Sequence, residues 1–258
     1  MILKEILAKL DEISKAGKRA ALCIVTRTSG STPRKAGSKM LVIEDGQIVG
    51  TIGGGSIEKR VIEEALLLCK KSQPEILSFN LEDDLAMQCG GTMEVYVEPV
   101  VPQSGLVIFG AGHVGSALGK YASDFGFRVI FVDERSEFAE KMQQLGFEVI
   151  NGDFAAEAKK FESDSNTYFV VVTPKHAYDQ EVTSILAKKE FAYLGMIGSK
   201  RKVAEAKRFY LDNKILTQAE IEKIDMPIGV PFNAQTPEEI AISILAKLID
   251  VKNTMSGS

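Results

Sequence analysis

The run Gly110-Ala111-Gly112-His113-Val114-Gly115 constrains this chain more than any other segment. It follows an apolar stretch, Leu106 to Phe109, and opens a segment of helical periodicity that runs to about Phe125. Glycines at this spacing let a strand turn sharply into a helix. Gly110 permits the tight turn, Gly112 lets a diphosphate approach the backbone, and Gly115 allows the helix to pack closely on the strand. Amides at the helix N-terminus, around His113, then face the phosphates. Such a run is weak evidence alone, but Asp133 ends the next strand about 20 residues on, where a ribose-binding carboxylate is required. Asp133 suits a free 2′-hydroxyl, and Arg135 beside it leaves a 2′-phosphate open.

Around this motif apolar runs alternate with helical segments. Arg128–Val132, Glu148–Ile150, Tyr168–Thr173 and Ala192–Ile197 read as strands. The run YFVVVT is nearly all apolar, as a strand covered on both faces should be. The alternation predicts a Rossmann-like, doubly wound parallel sheet with right-handed crossovers. Ligands bind at the carboxyl edge of such sheets, and two further segments end there. One, Thr173 to Asp179, carries His176 and Asp179, which suit proton transfer or substrate orientation; a loop histidine is as readily an exposed bystander. The other, Gly195 to Lys202, carries Gly198 and Ser199 ahead of three successive cations, a second anion site or a solvated face.

The first part of the chain reads differently. Ile2, Leu3, Ile6, Leu7, Leu10 and Ile13 fall at helical spacing, as does the set from Ile57 to Cys69. Ala20–Thr26, Glu75–Asn80 and Met93–Val97 read as strands, and Asp45-Gly46 between Met40–Ile43 and Gln47–Thr51 predicts a hairpin. The prolines, serine and glycine of Glu98–Gly105 predict a linker. The expected organisation is therefore α/β throughout: a small N-terminal α/β domain over 1–102 and a Rossmann-like domain over 103–258. Two glycine-rich loops lie in the first. Ser29 to Lys39, with Ser31 and Arg34, offers hydroxyls, amides and cations to an anion. Thr51 to Ser56, with Gly53, Gly54 and Gly55, runs into a helix start and suits a phosphate. Cys89-Gly90-Gly91 is an accessible thiol or a small residue at a turn.

Length and charge narrow the function. At 258 residues the chain can bury two cores. A net charge of -4 gives no attraction to phosphate backbones, so no nucleic acid is expected. Glu5, Asp11 and Glu12 interrupt the N-terminal apolar positions, and no stretch approaches a membrane span, so the expected location is the cytoplasm with no membrane partner. Three cysteines and two histidines make neither a disulfide framework nor a metal site, and Cys23 and Cys69 read as core residues.

Taken together, GSTPRKAGSKM, GTIGGGSIE, the CGG before an EP-terminated strand, FGAGHVG, VDER, YLGMIGSKRK, PIGV and TPEEIAISILAKLI resemble the xanthine dehydrogenase accessory factor (XdhC/CoxI) family, in the same order and over nearly the whole chain. The resemblance implies an accessory protein, more a chaperone than an enzyme, that binds molybdenum cofactor (molybdopterin), assists its sulfuration and delivers it to a molybdenum hydroxylase such as xanthine dehydrogenase. A cysteine desulfurase would then be a second partner, with Cys89 the candidate sulfur carrier. Where the family reads T-H-x-H-x-x-D, this chain has Pro174 in place of the first histidine, which puts any role needing both in question. The alternative is an NAD(P)-dependent oxidoreductase acting on a small or pterin-like molecule. Whether the fingerprint takes NAD, NADP or the cofactor's nucleotide stays open, and a homodimer is the default assembly.

Overall fold

Both faces of the first strand, β1 (Ala20–Ser29), carry apolar side chains, and a helix covers each. In the computed structural model, which describes residues 2–15, 17–71, 73–81 and 91–256, the chain divides between Gln103 and Ser104 into two units. The first is an antiparallel sheet of five strands: β1, β2 (Lys39–Ile43), β3 (Ile48–Gly50), β4 (Glu75–Asn80) and β5 (Thr92–Val100), in the order β3-β2-β1-β5-β4. Side chains alternate across it. Ala21, Cys23 and Val25 join Met40 and Val42 against Ile57, Val61 and Ala65 of α2 (Gly55–Lys71). Ala20, Leu41 and Ile43 meet Ile6 and Ile13 of α1 (Ile2–Lys15). Ile57 and Val61 are β-branched and cost a helix up to ~0.7 kcal/mol each, but burying each contributes about 1.5–3 kcal/mol. Packing outweighs propensity.

The linker expected over Glu98–Gly105 is shorter than the sequence suggests. Glu98, Pro99 and Val100 finish β5, and Ser104 and Gly105 begin the next strand. Pro99 lies opposite Ala21 of β1, while β4 stops pairing at Val97, so the missing N–H falls where β5 has lost one neighbour.

The second unit is a parallel sheet: β6 (Ser104–Phe109), β7 (Phe127–Asp133), β8 (Glu148–Asn151), β9 (Thr167–Val171) and β10 (Tyr193–Met196), ordered β10-β9-β6-β7-β8. One face carries α3 (His113–Asp124) and α9 (Pro237–Ser256) over Leu106, Ile108 and Phe131. The other carries α5 (Phe154–Lys160), α6 (His176–Leu186), α7 (Lys200–Asp212) and α8 (Gln218–Glu222) over Val107, Phe109 and Phe169. The helix α4 (Ser136–Gln144) follows β7. Both sheet faces are thus covered, the doubly wound arrangement expected. The short α5, capped by Asp153, has no counterpart among the elements read from sequence. Strand order reverses between β6 and β9, which sets the crevice where ligands enter such folds. Among the described residues no helix is long and apolar enough to cross a membrane.

Candidate functional site

Three glycines do three different things in the turn after β6. Gly110 has φ +110, and a Cβ there would lie 2.4 Å from the carbonyl oxygen of Val172. A Cβ at Gly115 would lie 1.9 Å from the carbonyl oxygen of Gly110. At Gly112 the nearest atom would be Arg135 Nη2, at 4.0 Å. Gly110 and Gly115 therefore serve the fold, while Gly112 leaves open the space a ligand would use. Gly112 caps α3 without a side-chain hydrogen bond, so the first-turn amides face outward beside exposed His113. A pocket of about 380 Å³ lies here, lined by Gly112, His113, Arg135 and Phe138 among others.

Asp133 is in place at the end of β7 but is not free for a ribose. It is fully buried. Its Oδ2 accepts from the Ala111 amide (2.7 Å) and Arg135 Nη2 (2.7 Å), and its Oδ1 accepts from the Arg135 amide (2.9 Å) and Nε (2.9 Å). Burial pushes its pKa up, yet these hydrogen bonds from Arg135 and Ala111 prevail and hold the carboxyl below the usual range. Its spacing from the glycine turn predicts a ribose hydroxyl as the partner of Asp133. Here its lone pairs are already committed, so it anchors the glycine turn and Arg135. The guanidinium is pinned in turn, 3.9 Å over the Phe138 ring.

The larger cavity, about 950 Å³, opens beyond the ends of β9 and β10. Thr173, Pro174 and Ile197 line both it and the pocket beside the glycine turn, so the two are contiguous. Its lining brings together the polar side chains of His176, Asp179, Lys200 and Lys202 and the apolar side chains of Ile197, Met226, Ile228 and Phe232. Asp179 Oδ1 accepts from the Thr173 amide (2.9 Å) and hydroxyl (2.6 Å), while Oδ2 lies 3.9 Å from His176 Nδ1, too far for a hydrogen bond. Burial pushes the Asp179 carboxyl up to about 6, against the opposing bonds from Thr173. Both ring nitrogens of His176 are buried and without a partner. That is uncommon, because a buried polar atom left unpaired is costly. Ser199 points to α7, where its hydroxyl caps the Lys202 amide at 3.4 Å, and Gly198 precedes it.

The wall of this cavity from Met226 to Phe232 escaped the sequence reading of site residues. It is held from β10. Tyr193 donates to Asp225 Oδ2 (2.5 Å), which also accepts from the Gly229 amide (2.9 Å). A Cβ at Gly195 would sit 2.5 Å from Ile228, so the wall needs that glycine. The available signal was the glycine pair of YLGMIG with the later PIGV, segments that explain each other only once they touch.

In the first unit the glycine loops converge. A Cβ at Gly53 would lie 2.8 Å from the Pro33 ring, and one at Gly91 would lie 2.5 Å from the Ser31 carbonyl oxygen. The cradle expected at Gly53, Gly54 and Gly55 is already filled. Glu58 Oε2 accepts from the Ile52 amide (3.1 Å), the Gly54 amide (3.1 Å) and the Thr51 hydroxyl. The loop therefore holds the protein's own carboxylate where a phosphate was expected. Arg34 remains exposed. Cys89 lies outside the described residues. Cys23 and Cys69 are buried and unpaired, and burial pushes their thiols up to about 12 and about 11, so neither is a thiolate nucleophile. Among the described residues no group of three or more histidine, cysteine, aspartate or glutamate side chains comes together to hold a metal.

A glycine turn at the switch point of a parallel sheet, with an adjoining cavity, defines the second unit as a Rossmann-type unit joined to a smaller antiparallel α/β unit. The chain belongs to the XdhC and CoxI family: residues 106–248 match the XdhC Rossmann domain and residues 13–80 the XdhC and CoxI family model. It is 32% identical over 243 residues to YqeB of Escherichia coli, covering 92% of this chain and 44% of YqeB, so it spans under half of that relative. It is 22% identical to the Escherichia coli molybdenum cofactor insertion chaperone PaoD, covering 93% of this chain and 86% of PaoD. A crystal structure from Bacillus halodurans described as a xanthine dehydrogenase shares the fold, with a TM-score of 0.52 at 24% identity and 96% coverage of both chains.

Proposed function

We propose that this chain is an accessory protein that binds molybdenum cofactor, promotes its sulfuration and delivers it to a molybdenum hydroxylase such as xanthine dehydrogenase. The observation that carries the reading is the cavity holding unpartnered His176, contiguous with the glycine turn, in a chain similar along 93% of its length to an insertion chaperone. The residues suit the cofactor. A pterin needs flat apolar walls and hydrogen-bonding partners, which Ile197, Met226 and Phe232 with His176 and Asp179 supply. Its phosphate needs amides or cations, available at Gly112, Lys200 and Lys202. When bound, the cofactor supplies the molybdenum centre its client requires. The chain's own work is to orient the ring, exclude water with the Met226–Phe232 wall, and hold a proton on Asp179 or His176. Gly198, Ser199, His113 and Arg135 complete this site in the proposal, and Ser31 and Arg34 form a second anion contact in the first unit.

The sulfur in this reading comes from a cysteine desulfurase, with Cys89 as the carrier because Cys23 and Cys69 are buried. A homodimer working in the cytoplasm is part of the same proposal. The test is mass spectrometry and absorbance of ligand co-purified from cells making molybdenum cofactor, followed by reconstitution of a client. Absence of any pterin from the purified protein overturns the reading. Cys89→Ala is expected to retain cofactor yet yield a less active client, and equal client activity would remove Cys89 from the mechanism.

A second reading, an NAD(P)-dependent oxidoreductase acting on a small or pterin-like molecule, draws support from one feature. The pocket beside the glycine turn adjoins, through Thr173, Pro174 and Ile197, the cavity lined by the carboxyl–imidazole pair Asp179 and His176. Oxidation of NADH or NADPH in the presence of dihydropterins or other small carbonyl compounds tests it, and no turnover with any of them dismisses it.

A further inference from the structure

The two nitrogens of His176 set the chemistry that the larger cavity can accept. A neutral imidazole has one N–H donor and one acceptor nitrogen, and here neither is used within the protein although both are buried. Beside it, Asp179 Oδ2 lies 3.9 Å from Nδ1, and Oδ1 is taken by Thr173. The same cavity is lined by the apolar side chains Ile197, Met226, Ile228 and Phe232. Lys200 and Lys202 line the same space and favour electron-rich or anionic groups. At about 950 Å³ the cavity is in the range that encloses a drug-sized ligand.

We propose that His176 and Asp179 recognise the lactam edge of a fused heterocycle, its ring N–H and neighbouring carbonyl, while the apolar wall packs on the ring faces. A lactam offers one donor and one acceptor side by side, which is what an imidazole–carboxyl edge can match. An aliphatic chain would leave the His176 nitrogens unpaired, and a simple phosphate would leave the apolar wall unfilled. This deepens the proposed reading of the cavity as a ligand site and names the chemical handle. Pterins and oxopurines both carry that handle, so the experiment separates the two sources.

Titration calorimetry of the full chain with xanthine, with pterin, and with caffeine as the fully N-methylated control tests the idea. At least one of xanthine and pterin is expected to bind about 10-fold or more tighter than caffeine, because methylation removes the N–H and leaves the site's acceptor unpaired. Tighter binding of pterin identifies the cofactor's own ring as the occupant, and tighter binding of xanthine identifies a free purine. His176→Phe keeps an aromatic ring, somewhat larger, without the nitrogens and is expected to weaken the better ligand about 10-fold. Phe232→Ala, on the exposed side of the wall, is expected to weaken lactam and methylated rings alike. Equal affinity for caffeine, no binding of either lactam, or unchanged affinity in His176→Phe each overturn the inference. If molybdenum cofactor still co-purifies in that event, the accessory role stands and this account of His176 falls.

Discussion

Gly112 differs from its neighbours Gly110 and Gly115 in having open space where a side chain would go. Gly112→Val is therefore expected to fold as the parent does while losing affinity for NAD(H), NADP(H) and any dinucleotide cofactor the parent binds. Gly115→Ala, by contrast, would drive a methyl into backbone at 1.9 Å and is expected to fail in folding. Thermal melts alongside binding titrations check both, and an unchanged set of affinities in Gly112→Val would show that the turn holds no diphosphate. Asp179 makes a second claim at this scale. Its carboxyl titrates near 6 in the folded state, above the ~3.9 of an unfolded chain. The folded protein thus binds the extra proton between those values, and stability falls as pH rises through this window. The loss is on the order of 2–3 kcal/mol above pH ~6. Asp179→Asn is expected to raise the Tm at pH 7.5 and to show little difference near pH 4. A Tm difference independent of pH would mean that the carboxyl is not destabilised by burial.

The start of α2 shows how an element can satisfy itself. Glu58 reaches back one turn to the amides of Ile52 and Gly54 and the hydroxyl of Thr51. Burial pushes its carboxyl up, but those bonds outweigh it and the pKa is lowered. Glu58→Ala frees these half-buried amides and is expected to cost about 1–2 kcal/mol in denaturant unfolding, given the partial exposure of the site. Added phosphate is expected to recover part of that loss by filling the emptied cradle. No recovery would show that the loop geometry suits only the carboxylate. The run of three glycines was legible as an anion cradle, because positive φ at Gly53, Gly54 and Gly55 is a local property. That its anion is Glu58 was not legible, since a glutamate in the first turn of a helix also reads as an ordinary dipole partner. Pro99 misled for a related reason: proline marks a linker unless one side of its strand is unpaired, and pairing is not local.

At the scale of the molecule, each unit has its own buried clusters: Val25, Val61 and Val95 among others in the first, Ile108, Phe131 and Leu248 or Phe109, Phe169 and Tyr210 in the second. Residues 104–258 expressed alone are expected to fold cooperatively, with a single unfolding transition by circular dichroism, and a gradual melt would refute this. Sequence by itself determined the succession of strands in that unit, though not the short α5, together with the strand–glycine–helix turn and the segments that end at the carboxyl edge. Each is set by properties that act over a few residues: apolar periodicity, the conformational freedom of glycine, and the sharpness of a turn. Tertiary structure alone decided which carboxylates are spent inside the protein and which polar groups are left over. Asp133 is consumed by Arg135 and Ala111, whereas the ring nitrogens of His176 are buried without a hydrogen-bond partner in a cavity lined also by Met226 to Phe232. Arg135 is two positions from Asp133, but Ala111 is 22 positions away, and the Met226–Phe232 segment is some 50 positions from His176. A residue's type shows that it can make a hydrogen bond, and only the packing around it decides with what.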